Sequence, residues 1–300
     1  MQAQHLISIS DLTKEEILLI LKKAAVLKKK SSSQLLQGSI LASCFFDPST
    51  RTRLSFEAAM LRLGGSVISV SDKSSTSLQK GESLYDTIRV ISGYADIIVL
   101  RHPMEGAARL AASASCIPII NAGDGANQHP SQTLLDLFSI QECQGRLDEL
   151  KIACVGDLKY GRTVHSLALA CSLFNIRLYF VSPEQLSLPD AIVQQLKMRG
   201  VNFSFHSSVE ELVGKVDVLY MTRLQKERFE EGEYKAKDGR FSITLRGLQG
   251  AKKNLRILHP LPRVDEVDLL IDTTPFAYYF EQAKNGLFVR EALLAFLLKG

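Results

Sequence analysis

The chain has 300 residues, a length that predicts about two domains, each able to bury a core. Hydrophobic residues make up 46% and charged residues 23%, which is ordinary for a globular protein and excludes wholesale disorder and collagen-like repeats. Lys and Arg number 36 against 32 Asp and Glu, for a formal net charge of +4. That surplus is too small for the blocky positive charge of a typical nucleic-acid-binding protein, so we expect no nucleic-acid partner.

The compartment is indicated by the cysteines and by the N-terminal segment. The five cysteines form no Cys-x-x-Cys pair, which argues against a zinc ribbon or a disulfide framework and favours reduced thiols. The first apolar stretch, 17–26, is interrupted by Lys22 and Lys23, so it fits neither a signal peptide nor a membrane span. We expect a cytoplasmic protein with no membrane association.

Short apolar runs alternate along the chain with amphipathic helical stretches. Runs that are apolar on both faces and alternate with helices predict parallel sheets covered by helices, hence an α/β protein with two such domains. The predicted strands are 40–46, 66–70, 96–100, 117–120, 151–155, 176–181, 201–205, 217–221 and 256–258. The predicted helices are 14–29, 50–63, 82–93, 106–114, 131–142, 161–174, 189–199 and an apolar-rich C-terminal helix over 286–298.

The segment after the first strand has the composition of an anion site. Ser49, Thr50 and Thr52 supply hydroxyl groups, and Arg51 supplies a guanidinium that can bind two oxygens at once. The predicted helix that follows would add unpaired backbone N–H groups and the positive end of its dipole, which together suit a phosphate. An ordinary capped helix with surface arginines is an equally good interpretation of these residues alone.

Three further polar segments of the first half are candidates. The hydroxyl-rich loop 74–83 carries Lys80 and is either a lid over an anion or a solvated connector. Arg101 follows a buried strand and is either a ligand group or a partner in a salt bridge at the strand end. His129 and Gln132 share one side of a first helical turn and could donate to a carbonyl oxygen, although His129 could also be a structural capping residue.

The second half has its own candidates at strand ends. The loop 155–163 joins a strand to a helix as in dinucleotide-binding proteins, but Lys159 and Arg162 take the place of the expected glycines and favour a small carboxylate. Arg223 follows the strand 217–221. The loop 259–263 is framed by prolines, which makes it stiff and leaves its backbone carbonyls available as acceptors.

Taken together, these segments place an arginine after each of several buried strands, namely Arg51, Arg101, Arg162 and Arg223. A phosphate plus two carboxylates would match that much positive charge. No pair of acids, no Ser-His-Asp order and no metal-ligand spacing is evident, so we expect neither a metal nor an organic cofactor. Such a site would act by positioning and by electrostatic stabilisation.

Four long motifs carry a family resemblance. They are Ser-Thr-Arg-Thr-Arg at 49–53, His-Pro-Ser-Gln-Thr at 129–133, Gly-Asp-Leu-Lys-Tyr-Gly-Arg-Thr-Val-His at 156–165 and His-Pro-Leu-Pro-Arg at 259–263. In these motifs the chain resembles the catalytic chains of aspartate carbamoyltransferases, within the aspartate/ornithine carbamoyltransferase family. The resemblance extends over essentially the whole chain and is greatest to the enterobacterial type.

The resemblance implies transfer of the carbamoyl group of carbamoyl phosphate to L-aspartate, for de novo pyrimidine biosynthesis. It implies that carbamoyl phosphate is bound by Ser49, Thr50, Arg51, Thr52, Ser77, Lys80, Arg101, His129, Gln132, Leu261 and Pro262. It assigns L-aspartate to Lys80, Arg162, Arg223 and Gln225, and catalytic roles to Arg51, Thr52, Lys80, Arg101 and His129. The departing phosphate would accept the proton of the amine.

The resemblance also implies a domain arrangement and an assembly. Residues 1–130 together with the C-terminal helix 286–300 would form the carbamoyl phosphate-binding domain, with that helix packed back on it, and 131–285 the aspartate-binding domain. The active chain would be a homotrimer with shared active sites, in which Ser77 and Lys80 come from a neighbouring subunit. Zinc-bearing regulatory chains in a dodecamer would be compatible with the enterobacterial type.

Two alternatives are open at this point. An ornithine carbamoyltransferase shares the carbamoyl phosphate motif, but its cationic substrate would face Arg162 and Arg223, and Pro260 stands where that enzyme has a cysteine. The other is a non-catalytic, anion-binding scaffold chain of a pyrimidine-pathway assembly. The scaffold is disfavoured because every position of the motifs is filled.

Overall fold

A computed structural model describes residues 5–30, 34–71, 77–224 and 239–299. The chain divides into two compact units, Met1–Phe138 with Lys284–Gly300, and Ser139–Ala283. We expected the division at 130/131 and 285/286, and the structure places it eight residues later at the first point and two residues earlier at the second. Each unit is a parallel sheet flanked by helices, which confirms the predicted fold class.

The first unit is built on a sheet of four parallel strands. They are β1 (Ile40–Phe45), β2 (Ser66–Val70), β3 (Ile97–His102) and β4 (Ile119–Asp124), in the order β2-β1-β3-β4. The helices are α1 (Lys14–Lys29), α2 (Thr50–Arg62), α3 (Leu84–Ile91), α4 (Ala107–Ala114) and the first part of α5 (Pro130–Gln144), which continues into the second unit after Phe138. Leu6 pairs with Ile120, which ties the N-terminal segment to β4.

Two strands of this sheet extend further than the apolar pattern predicts. β3 continues through Arg101 and His102, and β4 continues as far as Asp124. Arg101 pairs with Phe45 and His102 with Asp124, so the backbone ladder continues past the last apolar residue. Buried backbone N–H and C=O groups require partners whatever the side chain of their residue. A pattern of apolar residues alone therefore underestimates the length of these strands.

The C-terminal helix α8 (Tyr279–Lys299) packs on the first unit, as predicted, but begins seven residues before the expected start. Lys28 Nζ donates to Asn285 Oδ1 at 2.8 Å, and Arg62 Nε forms an ion pair with Glu291 Oε1 at 2.6 Å. Glu291 is fully buried, so this ion pair is shielded from solvent on one side and fixes the helix against α2.

The second unit holds five parallel strands. They are β5 (Lys151–Val155), β6 (Arg177–Val181), β7 (Phe203–His206), β8 (Val218–Met221) and β9 (Arg256–Leu258), in the order β7-β6-β5-β8-β9. Its flanking helices include α6 (Arg162–Cys171) and α7 (Asp190–Met198). The core includes fully buried aliphatic and sulfur-containing side chains of β5, β8 and β9, such as Val155, Leu219, Met221 and Ile257. Across the described parts of the chain, no helix is long and apolar enough to span a membrane.

Gly156 marks the point where β5 leaves the sheet beside β8. Its φ is +116°, and a Cβ atom built on it would lie 2.3 Å from the carbonyl oxygen of Thr222. Thr222 in turn donates its backbone N–H to Val155 O at 2.9 Å, so neither backbone can withdraw without breaking the ladder. A side chain at position 156 is therefore excluded both by conformation and by contact.

We predict that Gly156→Ala lowers the free energy of unfolding by about 3 kcal/mol, since it adds a collision with Thr222 to backbone strain. Gly200→Ala is the matched control, because Gly200 also has a positive φ (+67°) but has no atom within 4 Å of the added Cβ. We expect that control to cost about 1 kcal/mol. Denaturant unfolding of both variants measures the difference, and equal losses would show that the contact with Thr222 contributes nothing.

Candidate active site

The strand order places a crevice between β1 and β3 in the first unit. β2 lies on one side of this pair and β4 on the other, so the connections leave the two strands in opposite directions. In open parallel sheets, ligands bind at the carboxyl ends of the strands at such a switch point. The segment 47–53 follows β1, and Arg101 lies at the carboxyl end of β3, so the structure brings these two predicted segments to one crevice.

The N-terminus of α2 carries the features expected for an anion site. Ser49 is the residue that precedes the helix, yet its side chain makes no capping hydrogen bond. An ordinary capped helix, the alternative interpretation of these residues, would use that hydroxyl on the backbone. Thr52 is buried in the first turn, where the positive end of the helix dipole favours negative charge.

Arg101 is held by an acid that the sequence analysis did not single out. Its Nε donates to Asp47 Oδ2 at 2.8 Å, and its Nη1 donates to the carbonyl oxygen of Ala122 at 3.3 Å. The pairing of β3 with β4 shifts register between Leu100 and His102, and such an irregularity re-aims the side chain at that point. Asp47 is adjacent to the 49–53 segment, but nothing in its spacing indicates a partner 54 residues away.

Arg51 and Arg101 are close enough to repel each other. Partial burial, and then the charge of Arg101, lower the pKa of the Arg51 guanidinium. Burial lowers the pKa of Arg101 as well, and the ion pair with Asp47 opposes that shift. Both groups stay protonated at neutral pH, since arginine begins from so high a pKa. An anion bound between them would relieve the repulsion, and we name this pair with the N-terminus of α2 the anion cradle.

His129 immediately precedes α5 and Gln132 lies in its first turn, and both residues belong to the first unit. His129 is buried, with Nδ1 3.3 Å from Ser131 Oγ, and its carbonyl oxygen accepts from the backbone N–H of Gln132 at 3.0 Å. The side chain of Gln132 is buried too, and its Nε2 donates to Asp136 Oδ1 at 2.8 Å. The two residues therefore lie together at the start of one helix, as the spacing predicts.

The second unit has a switch point of its own, between β5 and β8. β6 and β7 lie beyond β5, and β9 lies beyond β8. Arg162 is the first residue of α6, preceded by Gly161 with no side-chain cap, and Arg223 follows β8 by two residues. The two predicted carboxylate-binding arginines therefore follow adjacent strands at their carboxyl ends.

The loop 259–263 is fixed by a buried pair. His259 Nδ1 accepts from the backbone N–H of Leu261 at 2.8 Å, so the proton is on Nε2, which donates to Glu266 Oε1 at 2.6 Å. Burial alone would raise the pKa of Glu266, but the hydrogen bond from His259 lowers it. Leu261 has a φ of +55° and the Leu261–Pro262 bond is cis. The sequence predicted a stiff loop from its prolines and gave no sign of Glu266.

The remaining predicted residues lie in and around the 74–83 loop and beyond β8. Ser77 and Lys80 belong to a short 3₁₀ helix, Ser77–Lys80, in which Lys80 is exposed to solvent. Gln225 lies outside the described residues. Within the four described ranges, no group of three or more His, Cys, Asp or Glu side chains could hold a metal ion.

Comparison with protein-family models gives two matches that together span nearly the whole chain. Residues 4–142 match the aspartate/ornithine carbamoyltransferase carbamoyl-P binding domain, and residues 148–297 match the Asp/Orn binding domain of the same family. Each match contains one of the two switch points described above, with Arg51 and Arg101 in the first and Arg162 and Arg223 in the second.

Individual relatives indicate the same family as the family models. The aspartate carbamoyltransferase catalytic subunit of Chromobacterium violaceum is 55% identical over 298 residues, 99% of each chain. The solved catalytic subunit of M. jannaschii aspartate transcarbamoylase superposes with a TM-score of 0.91 at 55% identity, covering 99% of this chain and 98% of that one. Aspartate transcarbamoylase from Trypanosoma cruzi, in complex with carbamoyl phosphate and aspartate, gives a TM-score of 0.92 at 38% identity, covering 98% and 96%. The chain belongs to the aspartate/ornithine carbamoyltransferase family.

Proposed function

We propose that this chain is an aspartate carbamoyltransferase, which transfers the carbamoyl group of carbamoyl phosphate to L-aspartate and gives N-carbamoyl-L-aspartate and phosphate. The observation that carries the proposal is the anion cradle, where Arg51 and Arg101 lie close enough for their charges to interact and the N-terminus of α2 has no side-chain cap. The product enters de novo pyrimidine biosynthesis. The assignment is supported by the family membership of the chain and by its 55% identity to an aspartate carbamoyltransferase catalytic subunit.

Carbamoyl phosphate binds in the first unit. Its phosphate is held by the hydroxyls of Ser49, Thr50 and Thr52, by the backbone N–H groups of the first turn of α2, and by Arg51. The family resemblance adds contacts to this substrate from Ser77 and Lys80, and from the backbone of Leu261 and Pro262. The phosphate supplies the negative charge that offsets the repulsion between Arg51 and Arg101.

The carbonyl group of the same substrate is polarised by Thr52, Arg101 and His129. Each can donate a hydrogen bond to the oxygen, which gains negative charge as the tetrahedral intermediate forms. Arg101 is pre-oriented for this role because Asp47 holds its Nε and Ala122 accepts from one Nη, which fixes the plane of the guanidinium. A donor that is already in place needs no reorganisation during the reaction.

L-Aspartate is bound through its two carboxylates by Arg162 and Arg223, assisted by Gln225 and Lys80. The amine nitrogen attacks the carbonyl carbon, the bond from that carbon to the phosphate oxygen breaks, and the departing phosphate takes the amine proton. A protein base is therefore unnecessary. Ornithine would bring a cationic side chain toward Arg162 and Arg223, a like-charge arrangement that costs several kcal/mol of binding free energy.

A homotrimer with shared active sites is the assembly that we propose for the active chain. Strand β2 is at the edge of its sheet and is largely exposed, unlike the other strands of the first unit. Large apolar side chains are exposed on β2 and on its neighbouring helices, namely Leu54, Leu61, Ile68, Tyr85 and Val90. An open edge with exposed apolar residues is typical of a surface that a second chain covers. Lys80 would then act on the neighbouring subunit's cradle.

Compartment and further partners follow from the same assignment. All five cysteines lie within the described residues and are thiols rather than disulfides, which supports a reducing compartment and hence the cytoplasm. Zinc-bearing regulatory chains in a dodecamer stay a prediction of the family resemblance. The solution mass of the chain purified with and without candidate regulatory chains tests it.

The proposed activity is tested by assaying carbamoyl-aspartate formation by the purified chain and by Arg51→Ala. We expect the variant to lose about 1,000-fold in turnover, because the phosphate and the departing negative charge lose their principal cation. Arg109→Ala is the control, since Arg109 is exposed and its ion pair with Asp11 is long, at 3.6 Å. Undiminished turnover by Arg51→Ala, or none by the unmodified chain, would refute the assignment.

Arg223→Ala should act chiefly on the second substrate. Loss of a charged hydrogen-bond partner for one carboxylate is expected to raise the KM for aspartate on the order of 100-fold. The KM for carbamoyl phosphate should change little. Arg199→Ala is the control, because Arg199 precedes β7 and therefore lies toward the amino ends of the strands. An equal rise in both KM values would contradict the division of the substrates between these arginines.

Shared active sites predict complementation between inactive subunits. Mixing Arg51→Ala and Lys80→Ala chains under conditions that permit subunit exchange should restore part of the activity. In a hybrid trimer, some sites receive an intact Arg51 from one chain and an intact Lys80 from another. The assay follows carbamoyl-aspartate formation before and after mixing, with each variant mixed with itself as the control. Mixtures no more active than the separate variants would show that each site is complete within one chain.

A further inference from the structure

The turn that follows β4 is built around Asp124, a buried acid that the proposed mechanism does not use. Only 1% of Asp124 is exposed. Its carboxylate accepts hydrogen bonds of 2.8 to 3.2 Å from N–H groups of four residues, which are Gly106, Asn121, Asn127 and Gln128. An ionised carboxylate has acceptor positions for about four donors, so these partners fill it. The carboxylate thus joins the end of β4, the start of α4 and the turn 124–128.

One of these bonds fixes the residue that immediately precedes His129. Asp124 Oδ1 accepts from the backbone N–H of Gln128 at 3.2 Å, and the backbone N–H of Asp124 donates to the carbonyl oxygen of Gln128 at 3.4 Å. Both polar groups of the Gln128 backbone are thus tied to one residue. Since that carbonyl group belongs to the planar peptide unit that links Gln128 to His129, Asp124 determines where the His129 side chain begins.

The same end of β4 supports Arg101. Ala122, two residues before Asp124, accepts from Arg101 Nη1 at 3.3 Å. His102, the residue after Arg101, pairs with Asp124 in the sheet. Two of the donors that we propose for the carbamoyl oxygen, Arg101 and His129, are therefore held against one strand end, the first through Ala122 and the second through Asp124.

Building on the proposed function, we propose that Asp124 is a positioning residue that fixes the backbone carrying His129, so that the imidazole meets the carbamoyl oxygen as negative charge develops there. A donor that is in place before the reaction begins stabilises this charge without reorganisation, and an error of about 1 Å in its position can cost on the order of 100-fold in rate. Asp124 acts through geometry, since both of its oxygens are occupied by N–H groups of the chain.

A double-mutant cycle on kcat tests this role. Asp124→Ala removes the acceptors and leaves a small polar cavity that water can fill, so the turn loses its support while its N–H groups stay solvated. We expect kcat to fall about 30-fold, with less than about a threefold change in the KM of either substrate. His129→Ala should itself lower kcat about 100-fold. In that background, Asp124→Ala should cost less than about a further threefold, because the donor that it positions is already absent.

Asp124→Asn supplies the conservative rescue. The amide of Asn121 is held in its orientation, because its Nδ2 donates to the carbonyl oxygen of Ile7 at 2.9 Å as well as to Asp124. The oxygen of the new amide therefore stays on the side of Asn121 and Gln128, and its nitrogen takes the place of Oδ2. The bond from Gly106 is lost, which lowers folding stability, but the bond from Gln128 is kept. We expect kcat within about threefold of that of the unmodified chain.

Asp217→Ala is the matched control for the loss of a buried acid. Asp217 is 5% exposed and accepts from the backbone N–H of Lys151 at 3.0 Å, from Lys252 Nζ at 2.9 Å and from Asn254 Nδ2 at 3.1 Å. It immediately precedes β8, at the amino ends of the strands. This control should lower folding stability and leave kcat within about twofold, both alone and combined with His129→Ala.

Carbamoyl transfer by the unmodified chain tests the proposed function separately. With that activity present, an equal fall in kcat on Asp124→Ala in both backgrounds would indicate general damage and overturn the inference. An unchanged kcat in a folded Asp124→Ala chain would overturn it too, as would an equal loss in Asp124→Asn. Circular dichroism during thermal unfolding verifies the fold of each variant. If Asp124→Ala does not fold, Asp124→Ser takes its place in the cycle, with the same coupling to His129 expected.

Discussion

The repulsion between two guanidinium groups at one crevice is the constraint on which the candidate site depends. Arg51 and Arg101 are brought together because β1 and β3 are neighbours with their connections leaving in opposite directions. A fold that gathers like charges in this way is stabilised when an anion binds, so substrate binding and local stability are coupled. The uncapped α2 N-terminus strengthens the same preference, since its dipole is oriented toward the same point.

The second unit also has a switch point in its parallel sheet, and the residues that follow it differ from those of the first unit. Its switch point between β5 and β8 also presents two arginines, but Gly156 and Thr222 bring the two strand ends into direct backbone contact first. Arg162 and Arg223 follow these strand ends, Arg162 as the first residue of α6 and Arg223 two residues after β8. The glycine thus excludes any side chain at the point where the two proposed carboxylate-binding segments leave the sheet.

The sequence predicted the fold and most of the site-bearing segments because those depend on local signals. Alternating apolar runs and helices specified two parallel sheets, and the position of Arg101 after an apolar run located it at a strand end. The acids that orient the site could not be predicted in the same way. Asp47, Asp136 and Glu266 act on Arg101, Gln132 and His259 respectively, and a lone acid has no periodicity that reveals a partner.

Those three acids each accept a hydrogen bond from a nitrogen of a group in or beside the candidate site, namely Arg101, Gln132 and His259. Arg101 is the cation among these three partners, and Asp47 balances part of its charge. Arginines without acidic partners would repel one another, and acids that faced the anionic substrates would weaken substrate binding. The near-equality of 36 basic and 32 acidic residues is therefore compatible with a strongly cationic site, because what matters for binding is which charge faces the ligand.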